Sequence, residues 1–112
     1  MKVGIIRCMQ TEDYCPGSVD FAAIRNRKGA FSHVDANENI EVVGFVSCGG
    51  CPGKKILMRS RELQKRGADA IALASCITVG TPIGFACPHA EKIKAMLAND
   101  LDDTITFLDH TH

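Results

Sequence analysis

The sequence Cys48-Gly49-Gly50-Cys51 places two thiols on either side of a flexible turn. Two sulfurs at this spacing can bind the same metal ion or cluster, or form a disulfide with each other. Glycines let the backbone approach a bound group closely, and the N–H groups of Gly49 and Gly50 can donate to negative charge on that group. The motif therefore predicts a site in which both glycines contact a cofactor.

This motif lies between a predicted strand and a predicted helix, and the same alternation covers the whole chain. Short runs rich in Val and Ile predict strands buried on both faces at residues 2–7, 40–46, 70–74 and 104–108. Amphipathic patterns predict helices at residues 19–27, 53–66 and 88–99. The alternation predicts one α/β domain over residues 1–112, a three-layer, Rossmann- or flavodoxin-like fold with a four-stranded parallel sheet and helices on both faces.

The other four cysteines also fall near the ends of predicted strands. Cys8 and Cys76 follow the first and third strands, and Cys15 and Cys87 lie in loops at the same edge. Because the C-terminal ends of parallel strands share one edge of a sheet, we expect all six thiols to converge there. Cysteines that serve only as core residues would instead be scattered through strands and helices.

This convergence predicts a metal site. The expected thiol ligands are Cys8, Cys48, Cys51, Cys76 and Cys87. Cys15 lies in the long first loop and is expected either to cover the site or to supply an exchangeable ligand. His89, two residues after Cys87, and His112, after the fourth strand, are additional candidate ligands.

Two of these cysteines are also expected to begin helices. Cys51 and Cys87 each precede a proline at the start of a predicted helix, and proline is favoured in a first turn. Both cysteines are therefore predicted at N-cap positions. There the helix dipole would stabilise the thiolate and lower the pKa of each thiol.

Composition narrows the class of protein. The net charge is +0 and no basic stripe is interleaved with aromatic residues, which argues against nucleic-acid binding. We find no apolar run long enough to span a membrane and no signal peptide, so a cytoplasmic protein with reduced thiols is expected. In that compartment, six cysteines indicate metal ligands or redox groups in preference to structural disulfides.

Taken together, these residues resemble the CGGC-domain family, a group of small proteins found mostly in anaerobic prokaryotes. The resemblance rests on residues 5–8, 48–55, 74–77, 87–89 and 111–112, and so it spans nearly the whole chain. It implies a metal-binding domain, for which zinc is often suggested.

Several interpretations of the thiols remain open. Structural zinc sites commonly use two close cysteine pairs, whereas this chain has one pair and more sulfur than one zinc ion needs, so an iron–sulfur cluster ranks ahead of zinc. Alternatively, Cys48 and Cys51 cycle between dithiol and disulfide, or carry a persulfide. A third interpretation is a small anion bound by the glycine-rich turn. A redox partner protein and a homodimer are further expectations, and enzymatic activity is left undecided.

Overall fold

The computed structural model describes residues 1–112 and contains one sheet of four parallel strands. The strands are β1 (Lys2–Arg7), β2 (Glu41–Ser47), β3 (Ala70–Leu73) and β4 (Thr106–Leu108), in the spatial order β2-β1-β3-β4. The helices are α1 (Ser18–Arg25), α2 (Ile56–Lys65), α3 (Ser75–Thr78) and α4 (Ala90–Asp100). The predicted α/β fold with a parallel sheet is therefore confirmed. None of the helices combines the length and the apolar character that crossing a membrane requires.

The strands differ in burial because of their positions in the sheet. Val3, Ile5 and Ile6 of β1 and every residue of β3 are buried, as expected for central strands. Strands β2 and β4 are only partly buried because they form the two edges of the sheet, so the prediction that they are buried on both faces was wrong.

Helices α1 and α2 pack on opposite faces of the sheet. Gly4 and Gly44 are register partners on neighbouring strands, and Leu63 of α2 lies directly over both. A Cβ atom at Gly4 would be 2.8 Å from Cδ1 of Leu63, so the close approach of α2 requires glycine there. The next residue, Phe45, points to the other face and stacks on Phe21 of α1 with ring centroids 5.1 Å apart.

Two helices begin later than predicted. Helix α2 starts at Ile56 with Lys55 at its N-cap, and α4 starts at Ala90 with His89 at its N-cap. The prediction that Cys51 and Cys87 are N-caps was therefore wrong. At the first site the physical reason is Gly53, whose φ of +96° is left-handed and separates the cysteine turn from the helix.

The sheet order brings loops from both halves of the chain to one edge. From β1 the chain moves to β2 on one side, and it then crosses to β3 on the other side of β1. In open α/β sheets the crevice at such a change of direction binds ligands outside the C-terminal ends of the strands. Cys8 directly follows β1, Cys48 directly follows β2, and Cys76 lies in α3, a short helix that begins two residues after β3 and was not predicted.

Candidate metal centre

Four cysteines line one cavity at the C-terminal edge of the sheet. The cavity has a volume of about 140 Å³ and is lined by Cys8, Cys51, Cys76 and Cys87, together with Gln10 and the apolar residues Ile83, Phe85, Ala86 and Pro88. We call it the thiol cavity. Each of its four cysteines comes from a different segment of the chain, so only the folded sheet brings them together.

A hydrogen bond links Cys8 and Cys76 across the C-terminal ends of the neighbouring strands β1 and β3. The backbone N–H of Cys8 donates to Sγ of Cys76 at 3.2 Å. Cys76 is only 5% exposed, and this burial raises the pKa of its thiol, although hydrogen bonds from Cys8 and Thr11 act in the opposite direction. Cys76 is therefore held as a neutral thiol in the absence of a cation.

The pKa of the Cys87 thiol depends on burial, on one backbone amide and on the charges of other cysteines. Burial raises the pKa of its thiol, the backbone N–H of His89 opposes this by donating to Sγ at 3.4 Å, and charge on Cys51, Cys8 and Cys48 raises the pKa further. The expectation that Cys87 is an acidic thiol was wrong, because burial exceeds the stabilisation that the nearby amide provides.

The two cysteines of the central motif have opposite exposure. Cys48 is 7% exposed and packs in the hydrophobic core, and its N–H donates to the carbonyl of Arg7 at 2.7 Å. Cys51 is exposed and lines the thiol cavity. Gly49, between them, has a φ of +80° and lies under the side chain of Lys55, where a Cβ atom would be 2.9 Å from Cδ. The turn therefore depends on glycine for its conformation and for its packing.

Gly50 has a φ of +106°, and a Cβ atom there would lie 3.4 Å from Cε of Met9. No acceptor within the protein bonds to the N–H groups of Gly50 and Cys51. These two amides are therefore available to a bound group, which agrees with the motif for Gly50. The N–H of Gly49 is not available, because it donates to Oγ of Ser47 at 3.1 Å.

The remaining candidate ligands do not line the thiol cavity. Cys15 is half-buried in the first loop, and its carbonyl accepts a hydrogen bond from Arg7. His89 contacts Cys87 through its backbone N–H. His112 borders a separate groove beside α1, and its Nε2 lies 3.6 Å from Asp20.

No three side chains among the histidines, cysteines, aspartates and glutamates stand in an arrangement that would hold one metal ion. The thiol cavity nevertheless fits a soft metal group in its donor chemistry, because four cysteines line the same largely apolar space.

A buried polar network behind the cavity was not recognised in the sequence. The hydroxyl of Thr111 donates to Asp20 of α1, and Oγ of Ser75 accepts from the backbone N–H of His112 at 3.0 Å. Asp20, Ser75 and Thr111 are all nearly inaccessible to solvent. The network fixes the last residues against α1 and α3, next to Cys76. In the sequence Asp20 resembles an ordinary first-turn helix acid, which is why it gave no signal.

The model of the CGGC domain matches residues 2–112, and the chain belongs to the CGGC-domain family. The resemblance noted in the sequence is thus confirmed. Membership of this family and the six cysteines together favour a metal-binding role.

Two similar proteins come from Methanocaldococcus jannaschii. The uncharacterized protein MJ0582 is 37% identical over 119 aligned residues, which cover 99% of this chain and 88% of the relative. The uncharacterized protein MJ0766 is 40% identical over 53 residues, which cover 46% of this chain and 76% of the relative. No solved structure matches the chain significantly.

Proposed function

We propose that this protein binds an iron–sulfur cluster, or failing that a zinc ion, through the cysteines of the thiol cavity. The observation that carries the proposal is the convergence of Cys8, Cys51, Cys76 and Cys87 on one cavity. The electrostatic effect of Cys48 on Cys87 adds a fifth sulfur to the same neighbourhood.

The number and surroundings of the sulfurs favour a cluster over a single zinc ion. A structural zinc ion takes four ligands in a closed tetrahedron, whereas an iron–sulfur cluster accepts thiolates delivered from several loops. Ile83, Phe85 and Pro88 give the thiol cavity an apolar wall. Such surroundings limit the access of water to a cluster, and the free amides of Gly50 and Cys51 are available to its sulfides.

Metal binding must release protons from these thiols. The pKa values of Cys76 and Cys87 are raised mainly by burial, so both sulfurs carry protons near neutral pH in the metal-free protein. A metal ligates the thiolate, and its charge therefore replaces the protons. We expect the affinity for metal to increase as the pH rises through the range in which these thiols ionise.

The test is the content of iron, zinc and acid-labile sulfide in protein purified without oxygen, together with its visible absorption spectrum. Iron with stoichiometric sulfide supports a cluster, and zinc without sulfide supports the zinc alternative. The double variant Cys48→Ser/Cys51→Ser should lose the bound metal, and so should Cys8→Ser/Cys76→Ser. Cys15→Ser is the matched control and should keep it, since Cys15 does not line the cavity.

Full retention of metal in both double variants would contradict the proposal. Metal-free protein in which Cys48 and Cys51 oxidise reversibly to a disulfide would instead support the thiol–disulfide alternative. In that case the other four cysteines could be replaced without loss of the redox reaction.

A further inference from the structure

We propose that a second pocket, next to the thiol cavity, binds the charged head group of a small organic anion. This pocket has a volume of about 350 Å³ and is lined by Arg7, Glu12, Pro16, Phe45, Val46 and Ser47. We call it the anion pocket. Arg7 and Ser47 are register partners at the C-terminal ends of β1 and β2, so the pocket lies at the ligand-binding edge of the sheet.

Arg7 supplies a buried positive charge without a carboxylate partner. Arg7 is only 6% exposed, and its guanidinium takes part in none of the ion pairs of the molecule. Its partners are neutral: Nε donates to the carbonyl of Cys8 at 3.1 Å, one terminal nitrogen donates to the carbonyl of Cys15, and the other donates to Oγ1 of Thr11 at 3.2 Å.

Two N–H groups of Arg7 remain after these bonds, because a guanidinium has five donors and three are used. A buried charge that meets only neutral partners is unfavourable. The guanidinium also lies 5.9 Å from the centre of the Phe45 ring, which compensates only part of this cost. An anion in the pocket would meet both the spare donors and the unbalanced charge.

Ser47 supplies a second donor. Its Oγ accepts from the N–H of Gly49 at 3.1 Å and from a terminal nitrogen of Arg59 at 3.1 Å. These two bonds occupy both lone pairs of the hydroxyl oxygen, so its own hydrogen must be donated elsewhere. No acceptor for that hydrogen exists within the protein. The arrangement fixes Ser47 as a donor on the same strand-end edge as Arg7.

The rest of the pocket indicates an organic rather than an inorganic anion. Phe45, Val46 and Pro16 form an apolar wall, and Phe45 is held in place by stacking on Phe21. Glu12 also lines the pocket, and it is exposed and does not approach Arg7 within ion-pair distance. Its carboxylate repels an anion and is expected to limit affinity.

The proposal does not depend on a metal, and it is tested with reduced, metal-free protein labelled with ¹⁵N. Phenyl phosphate and inorganic phosphate are titrated at constant ionic strength while amide chemical shifts are followed. We expect saturable shifts at residues 7, 47 and 49. Phenyl phosphate should bind about fivefold more tightly than inorganic phosphate, because its ring buries apolar surface against Phe45.

Substitutions at the pocket should change this affinity in opposite directions. Ser47→Ala should weaken phenyl phosphate binding about tenfold, through loss of a hydrogen bond to a charged group. Glu12→Gln should tighten it about threefold, because a like charge is removed. Ser32→Ala, at an exposed serine, is the matched control and should have no effect.

Cys48→Ser/Cys51→Ser should retain phenyl phosphate binding, which separates this pocket from the thiols. Shifts that do not saturate, or that Ser47→Ala leaves unchanged, would overturn the proposal. Equal affinity for the two phosphates would overturn the assignment of an organic anion. Arg7→Lys provides a second measurement, provided that the variant folds. A lysine cannot form the same set of hydrogen bonds as a guanidinium, so undiminished affinity for phenyl phosphate would also contradict the proposal.

Discussion

At the scale of single residues, Cys76 combines strong burial with a group that metal chemistry requires to be ionised. Its thiol is surrounded by protein, and the N–H of Cys8 donates to its sulfur at 3.2 Å. Burial raises its pKa, so the folded metal-free protein retains a proton that the unfolded chain releases at a lower pH.

This difference predicts how stability depends on pH. The free energy of unfolding of the reduced apoprotein should be highest below the ordinary thiol pKa. It should fall as pH rises from there through the higher pKa of the folded state, because the unfolded chain gains stability by ionising. Urea denaturation at a series of alkaline pH values, under reducing conditions, measures the effect.

The control for this prediction is Cys76→Ala, which removes the titrating group. Its stability should fall less steeply with pH than that of the unchanged protein, and Cys87 accounts for part of the slope that remains. Identical slopes for the two proteins would show that Cys76 ionises equally well in the folded state.

The sequence predicted that the thiols would gather but not how each one is surrounded. Positions after predicted strands sufficed for Cys8, Cys51 and Cys76, because parallel strands share an edge. The raised pKa of Cys87 depends mainly on burial in the folded protein, which no local sequence pattern reveals. The burial of Arg7 and its three neutral hydrogen-bond partners likewise became visible only in the fold.

At the scale of elements, the contact between α2 and the sheet depends on two paired glycines. Leu63 fills the space above Gly4 and Gly44, and a Cβ atom at Gly44 would overlap Cδ2 of Leu63. Neither glycine has a positive φ. Glycine is therefore needed at these positions because there is no space for a side chain, and not because of the backbone conformation.

Gly44→Ala should consequently destabilise the protein by about 1–3 kcal/mol, the usual cost of overpacking a core. Thermal or urea unfolding measures the change. In a Leu63→Ala background the same substitution should cost much less, because the removed side chain leaves room for the new methyl group. Additive effects of the two substitutions would contradict the steric explanation.

The elements themselves were largely predictable, and their ends were not. Periodicity identified all four strands and the three longer helices. Helix α2 nevertheless begins at Ile56 because Gly53 adopts a left-handed conformation, where a Cβ would contact Ile56 and Ile93. The short helix α3 has too few residues to show a period.

At the scale of the whole molecule, the thiol cavity joins loops that the sheet holds at separate points. A bound cluster would connect the segments after β1, β2 and β3 and the segment before α4. A ligand that binds only the folded state adds its binding free energy to stability. Loading should therefore raise the unfolding temperature and protect all of these loops together.

Hydrogen exchange of loaded and metal-free protein tests this expectation. Amides in residues 8–17, 48–55 and 79–89 should exchange more slowly when the protein is loaded. Strand β3 already lies in the centre of the sheet, so the exchange rates of its amides should change only as far as the global stability of the protein changes. Protection confined to residues 48–55 would indicate that the central motif binds the metal without the other loops. Cys8→Ser/Cys76→Ser serves as the unloaded control.

The adjacency of Arg7 and Cys8 links the two pockets. One residue lines the anion pocket, the next lines the thiol cavity, and Nε of Arg7 donates to the carbonyl of Cys8. Two ligands that share so short a stretch of backbone are subject to reciprocal linkage. Whatever factor an anion imposes on the affinity for metal, the metal imposes the same factor on the affinity for the anion. Measuring either binding constant with the other ligand present thus reports a single coupling energy for the pair.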